Sequence, residues 1–428
     1  MLKCSSPNAY WKTVSNGLQC AFLNYPKGLS TIGVALKIGV QDSKLSGQTF
    51  LTLQSKLFDA LKSPEEAFKY GITPTLQVFN DYSVVFLQFI PECSGQAQKV
   101  LHRFLSDQYP SHQSIIQSRY EMKNMELFGI VQPKDVILSL AHSASFGNQY
   151  TSTLLSEDPI NLNPSKEILS SLQSRIIPIA SSDMESTILN IASSLPHTNS
   201  KYDILPKRET ALFKSSEIVK QSSHLTFSGS RLIKNSKMSH SAISFPAPSA
   251  SHNDFYVYNV LEKLYGGGSQ FSSEGYGVGF SSILYSHILG KYPIEEIRAC
   301  YTPGLYNGLL SFWFKADPNA FHNISRSLKR SLKLAVNNAL KNDKVETAKE
   351  QAILHYLKTI DKGSDLFLDF GCGLIGQGKT RSSKEIIQKL ENVSKEDIIR
   401  CARNFLQNKP SIALIGHGDI KALSSPWM

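Results

Sequence analysis

The two halves of this chain close on the same pattern. One ends "SKEILSSLQSRIIPIASSDMESTILNIASSLP", the other "SKEDIIRCARNFLQNKPSIALIGHGDIKAL". Each reads as a capped helix, a Pro-containing turn and a short apolar strand. A pattern that returns near half the chain length implies a duplicated domain of roughly 200 residues. The boundaries expected from it are 11–205 for the first copy, 206–223 for a charged, serine-rich linker and 224–428 for the second.

Inside each copy the order of elements also repeats. "LQCAFLNYPKGLSTIGVALKIGV" reads as two strands joined by a Pro-Lys-Gly turn, and "YGITPTLQVFNDYSVVFLQFI" as a second pair joined through Asn80 and Asp81. Between the pairs, Phe50, Leu53, Leu57, Phe58 and Leu61 recur at the three-and-four spacing of an amphipathic helix. Further helical patterns follow near 96–106 and 114–127. After the linker the order restarts, with "SHSAISFPAP" a strand, "NDFYVYNVLEKLY" a helix, "EIRACYTPGLYNGLLSFWFKA" a strand pair and "NAFHNISRSLKRSLKLAVNNAL" a long helix. The expected fold is α+β: two tandem homologous domains, each a mainly antiparallel sheet with helices packed mainly on one face.

Composition narrows the function classes. The longest apolar runs have strand length, so no membrane-spanning helix is expected. The opening "MLKCSSPNAYWKTVSNGLQC" has no secretory apolar core and turns strand-like by about Trp11, which leaves little room for a long Arg-rich import signal. Six cysteines, Cys4, Cys20, Cys93, Cys300, Cys372 and Cys401, lie far apart, as suits reduced, mostly buried thiols. The net charge of +10 comes from dispersed cations. The densest group, Lys329, Arg330 and Lys333, falls on a helical pattern and reads as a solvated face; no interleaved aromatics suggest a nucleic-acid platform.

Two apparent motifs fail on context. "GCGLIGQGKT" holds Gly373-x-x-x-x-Gly378-Lys379-Thr380, a literal phosphate-loop match, yet the chain beyond it is too short for the strands of a nucleotide-binding sheet. Its glycines read as a helix C-cap and turn. No two of the eleven histidines stand four residues apart, so no helix offers two imidazoles to a metal.

"WKTVSNGLQCAFLN" followed by "STIGVALKIGVQD" resembles the opening of the pitrilysin (insulinase-type) metallopeptidase domain. In that family the next helix bears the inverted zinc motif H-x-x-E-H, which here would fall on Phe50, Leu51, Thr52, Leu53 and Gln54. Both histidines and the catalytic glutamate are missing. Zinc hydrolysis needs two neutral imidazoles and a carboxylate on the metal, plus a glutamate to activate water, so Phe50, Leu53 and Gln54 cannot perform it. The resemblance therefore implies no catalytic residue and no metal in this chain.

In the second half, "LTFSGSRLIKNSKMSHSAISFPAP" and then "YGGGSQFSSEGYGVGF" are similar to the non-catalytic, alpha-type subunits of the heterodimeric presequence-processing peptidases in that family. The resemblance implies a substrate-binding loop made by Gly266, Gly267, Gly268, Ser269, Phe271, Ser272, Glu274, Gly275, Gly277 and Gly279. Tyr276, Val278, Ser269 and Glu274 depart from the family's glycine, proline and lysine pattern. Glu274 restricts the backbone and adds a charge that attracts basic presequences, although a solvated loop charge is the plainer reading. The implied function is a substrate-recognising subunit, inactive alone, that acts with a zinc-bearing beta-type partner on precursors imported into mitochondria or a derived organelle. The alternative is a structural subunit like core protein 2 of the cytochrome bc1 complex.

Overall fold

Strand-forming runs of branched and aromatic residues pair into two six-stranded sheets. The first contains β1 (Asn8–Thr13), β2 (Gln19–Asn24), β3 (Ser30–Leu36), β4 (Thr73–Val78), β5 (Ser83–Phe89) and β6 (Ile176–Ser181), in the order β1-β2-β6-β3-β5-β4. The second contains β7 (Glu217–Lys220), β8 (Ser239–Ala247), β9 (Gly267–Ser269), β10 (Ile294–Pro303), β11 (Gly308–Ala316) and β12 (Ser411–Ile415), in the order β7-β12-β8-β11-β10-β9. This computed structural model describes residues 8–24, 29–42, 47–62, 64–127, 133–147, 162–195, 213–220, 238–269, 282–336, 341–361, 363–377 and 382–428.

The duplication inferred from the closing segments reappears as topology. In the first sheet β6 lies parallel to β2 and antiparallel to β3, followed by antiparallel β5 and β4. In the second, β12 lies parallel to β7 and antiparallel to β8, followed by antiparallel β11 and β10. The helices that precede β6 and β12 are capped by Ser165 and Ser394, the latter within a reciprocal capping box with Asp397.

Three local readings change. β2 and β3, adjacent in sequence, are not partners: β6 lies between them, bringing a fully buried strand from over a hundred residues away. Pro178, read as part of a turn, sits inside that strand opposite Val34. β7 lies within the stretch read as linker.

The chain divides into two compact units, each assembled from separated segments. One comprises Met1–Lys123, Ser152–Glu209 and Leu357–Ile386, the other Asn124–Thr151, Thr210–Tyr356 and Ile387–Met428. In the first unit the helices Gln48–Leu61 and Ser94–Phe104 cover one face of the sheet, closing a core that includes Phe22, Ile32, Val34, Val85, Leu87, Leu53 and Phe104. The opposite face carries Ala35, Val84 and Phe86 and receives the helix Gly363–Gln377. Phe367 packs on Phe86 at 6.1 Å between ring centroids. A Cβ at Gly371 would stand 3.0 Å from Val84 Cγ2, so glycine there lets helix and sheet approach closely.

That helix corrects a further reading. Gly371, Gly373 and Gly376 belong to it, not to a C-cap and turn, and backbone N–H groups held in a helix interior cannot cradle phosphate. Periodicity misses it because the helix is apolar nearly all round, as a covered helix should be.

The second unit repeats the arrangement with different chemistry. One face of its sheet packs Phe245 and Phe312 against Tyr265 and Phe405 in a chain of edge and tilted ring contacts, and Phe314 edge-on against Phe321. The helix Pro133–Phe146 lies over the other face, where Ala242, Ser244, Ser311 and Ser411 sit beside the stacked pair His240 and Trp313. Ser145 hydrogen-bonds Ser411, and Ser244 bonds Ser311 at 2.8 Å.

Candidate functional site

The helix Gln48–Leu61, where the zinc motif would lie, starts after Gly47 in the left-handed region at φ 79°. Its sides are pinned by polar bonds. Thr49 donates to Gly39 O at 2.9 Å, and Thr52 accepts from Ser165 N at 2.9 Å. Lys56, 3% exposed, donates from Nζ to Ser106 O at 2.6 Å and to Gln108 O at 2.8 Å.

Within this frame the three motif positions separate. Leu53 is wholly buried in the main core against the sheet. Phe50 packs beside a small cluster of Leu51, Met122 and Leu162. Gln54 donates from Nε2 to Glu121 Oε2 at 3.2 Å, reaching the helix His112–Leu127. Sequence reasoning missed Glu121, a carboxylate on a helix whose apolar periodicity is weak; only the packing of that helix brings it to Gln54. Burial raises the Glu121 pKa and the Gln54 bond partly opposes this.

These groups do not fit zinc. A lone carboxylate beside a carboxamide and a phenyl ring lacks the neutral imidazoles that a Zn²⁺ hydrolase uses. Among the described residues no three or more His, Cys, Asp or Glu side chains stand close enough to hold a metal ion. The buried histidines His142 and His240 lie in the other unit, on or beside the second sheet, both pushed down to about 4 by burial. Five cysteines, Cys20, Cys93, Cys300, Cys372 and Cys401, are free thiols, while Cys4 lies outside the described residues.

The glycine segment is described at its two ends. The helix Phe255–Tyr265 runs to it, anchored by a fully buried Tyr265 whose hydroxyl donates to Leu332 O at 3.0 Å. Gly266, at φ 56°, ends the helix, and its carbonyl accepts from Ala299 N at 2.8 Å. The chain then becomes β9, with Gly267, Gly268 and Ser269 opposite Arg298, Ile297 and Glu296 at the edge of the sheet. Gly267 N donates to Ser282 Oγ at 3.0 Å, where the chain returns to start the short helix Ile283–His287.

Sterics explain the first two glycines. A Cβ at Gly266 would stand 2.4 Å from Ser282 Cβ, and one at Gly267, φ 115°, would stand 2.0 Å from Ile297 O. Both are demanded by the backbone, whatever else they do. Phe271, Ser272, Glu274, Gly275, Gly277 and Gly279 lie outside the described residues. Beside the root, Glu296 pairs with Arg298 and Glu295 with Lys315, so these carboxylates are already compensated.

Comparison with known proteins agrees with this geometry. Residues 179–352 match the family described as Peptidase M16 inactive domain. The mitochondrial-processing peptidase subunit alpha of Caenorhabditis elegans is 27% identical over 187 residues, 44% of this chain and 36% of that protein. The potato (Solanum tuberosum) subunit alpha is 24% identical over 313 residues, 68% of this chain and 57% of that protein. Core protein I of the Euglena gracilis ubiquinol-cytochrome-c reductase complex is 26% identical over 187 residues, 40% of this chain and 38% of that protein. The match with the Caenorhabditis protein thus spans about a third of that relative's length. A solved chain of Complex III2 from Candida albicans, Inz-5 bound, superposes with a TM-score of 0.76 over 97% of both chains at 14% identity, which shows a shared fold. The chain is therefore similar over residues 179–352 to the peptidase M16 inactive domain, and over its matched segments to mitochondrial-processing peptidase alpha subunits.

Proposed function

We propose that this chain is the non-catalytic, substrate-recognising alpha-type subunit of a heterodimeric metalloendopeptidase that removes presequences from proteins imported into mitochondria or a mitochondrion-derived organelle. It acts in the matrix with a zinc-bearing beta-type subunit and contributes no metal ligand. The observation that carries the reading is the root of the glycine segment, where Gly267 at the start of the edge strand β9 and Ser282 at the start of the helix Ile283–His287 are joined by a 3.0 Å hydrogen bond. Such a fixed root lets Gly266, Gly267, Gly268, Ser269, Phe271, Ser272, Glu274, Gly275, Gly277 and Gly279 act as one substrate loop. Holding the extended part of a presequence on one subunit spends remote binding energy on orienting the scissile bond at the other.

A second reading is favoured by the Euglena core protein match and the Candida Complex III2 fold. In it the chain is a structural subunit of the cytochrome bc1 complex, on the matrix side of the inner membrane.

One experiment separates the two. The purified chain is expected to hold no zinc and to cleave no presequence peptide alone, and to restore cleavage when mixed with a beta-type subunit. Stoichiometric zinc in the isolated chain overturns the non-catalytic assignment. Co-purification with cytochromes b and c1, without peptidase activity, selects the structural reading.

A further inference from the structure

The helix Phe321–Leu334 carries one sign of charge along its whole length. Its inward residues Phe321, Ile324, Leu328 and Leu332 are fully buried. Its exposed face bears His322, Arg326, Arg330 and Lys333 at spacings of four, four and three, one stripe about 16 Å long. The helix contains no Asp or Glu. By contrast, the helix Asn342–Asp361 pairs Lys349 with Glu346, and Arg400 on the helix Lys395–Leu406 is clamped by Asp254 and Asp397.

His322 bonds Ser425 at 3.2 Å, but the three cations of the stripe are uncompensated among the described residues. Arg326, Arg330 and Lys333 form no ion pair or hydrogen bond with any described residue. Lys329, just off the stripe, is held by Pro426 O at 2.5 Å and lies 5.6 Å from the centre of the Trp427 ring. The adjoining helix Ile283–His287 packs against this one and carries no acidic residue. There, burial holds His287 below its ordinary pKa, and Lys291 and Lys344 lower it further.

We propose that the exposed face of the helix Phe321–Leu334 is an electrostatic docking surface for anionic phospholipid headgroups. The stripe is a convex row of cations with its apolar side chains turned inward, so it has no aromatic or aliphatic anchor of the kind that concentrates energy in a protein interface. A lipid surface needs no such anchor, because its charge is spread and fluid. Three unpaired cations near an anionic leaflet attract it by about fivefold in affinity each, on the order of 100-fold together, within the roughly 8 Å reach that physiological salt allows. The association is therefore peripheral, reversible and salt-sensitive, and it is independent of the proposed peptide-handling role.

The full chain is tested by co-sedimentation with vesicles of phosphatidylcholine alone or mixed with phosphatidylglycerol, at low and physiological salt. The expected result is binding to the anionic vesicles only, weakened by salt. The R326Q/R330Q/K333Q variant should lose binding by on the order of 100-fold, while its thermal unfolding matches the wild type. A control variant, K99Q/K166Q/K384Q, removes the same net charge at scattered exposed positions and should bind as the wild type does. Equal losses in both variants would show a net-charge effect and overturn the proposal, as would wild-type binding to neutral vesicles. Binding to polyglutamate but not to anionic vesicles would assign the face to an acidic polypeptide, also against it.

Discussion

Replacing Gly267 by alanine tests the claim that the root of the glycine segment is held by backbone sterics. The new methyl would stand 2.0 Å from Ile297 O and 2.9 Å from Arg298 Cα, and φ of 115° is a conformation that L residues rarely adopt. Dihedral strain alone costs about 1–3 kcal/mol. The overlap with a carbonyl cannot be relieved by a rotamer change, so β9 must move away from β10. Because β9 lies at an edge, the loss is bounded by the two or three hydrogen bonds that dock it, about 2–3 kcal/mol in all. The expected outcome is therefore local opening rather than global unfolding. The assay is hydrogen exchange at the Ala299 amide, which donates to Gly266 O. Its exchange should accelerate by about 30- to 150-fold, while core amides in β8 and β11 keep their protection. Gly95→Ala is the control, since nothing lies within 4 Å of its added methyl. Unchanged protection at Ala299 in Gly267→Ala would refute the steric argument.

Three further outcomes are expected. Glu121 has a folded pKa raised by burial, so its contribution favours folding when protonated and is lost as pH rises through the folded pKa; Glu121→Gln should then stabilise the chain at neutral pH in urea unfolding, with the gain vanishing towards pH 4. His142 and His240 titrate the other way: both are held neutral with pKa about 4 against 6.5 when unfolded. Their stabilisation is complete above the unfolded value and lost as pH falls through 6.5 towards 4, by up to about 3 kcal/mol each, and a His142→Leu/His240→Phe variant should flatten that pH dependence. Lys56→Met leaves the Ser106 and Gln108 carbonyls without their ammonium donor and should cost about 2–4 kcal/mol, read as a lower urea midpoint with unchanged slope.

Much of the local structure was legible in the chain because it depends on local periodicity. The helix at 48–61 follows from Phe50, Leu53, Leu57, Phe58 and Leu61, and the hairpin of β4 and β5 from two alternating runs around Asn80 and Asp81. The loss of the zinc set was legible too, since Phe50, Leu53 and Gln54 carry the wrong chemistry wherever they point. The glycines of 371–376 misled because a small residue in a buried helix and one in a turn look alike in sequence; the sheet packed against the helix, with Val84 Cγ2 3.0 Å from where a Cβ at Gly371 would stand, distinguishes them.

By itself the sequence determined the order of strands and helices, the doubling of that order, and the absence of imidazoles at the motif positions. Only the tertiary structure decided which distant segments meet. It set β6 between β2 and β3, laid the helix Gly363–Gln377 on the first sheet and the helix Pro133–Phe146 on the second, and brought Glu121 to Gln54. The physical reason is that each of these contacts joins residues tens to hundreds of positions apart, and their partners are chosen by complementary shape and burial across elements, which periodicity within any one element does not encode.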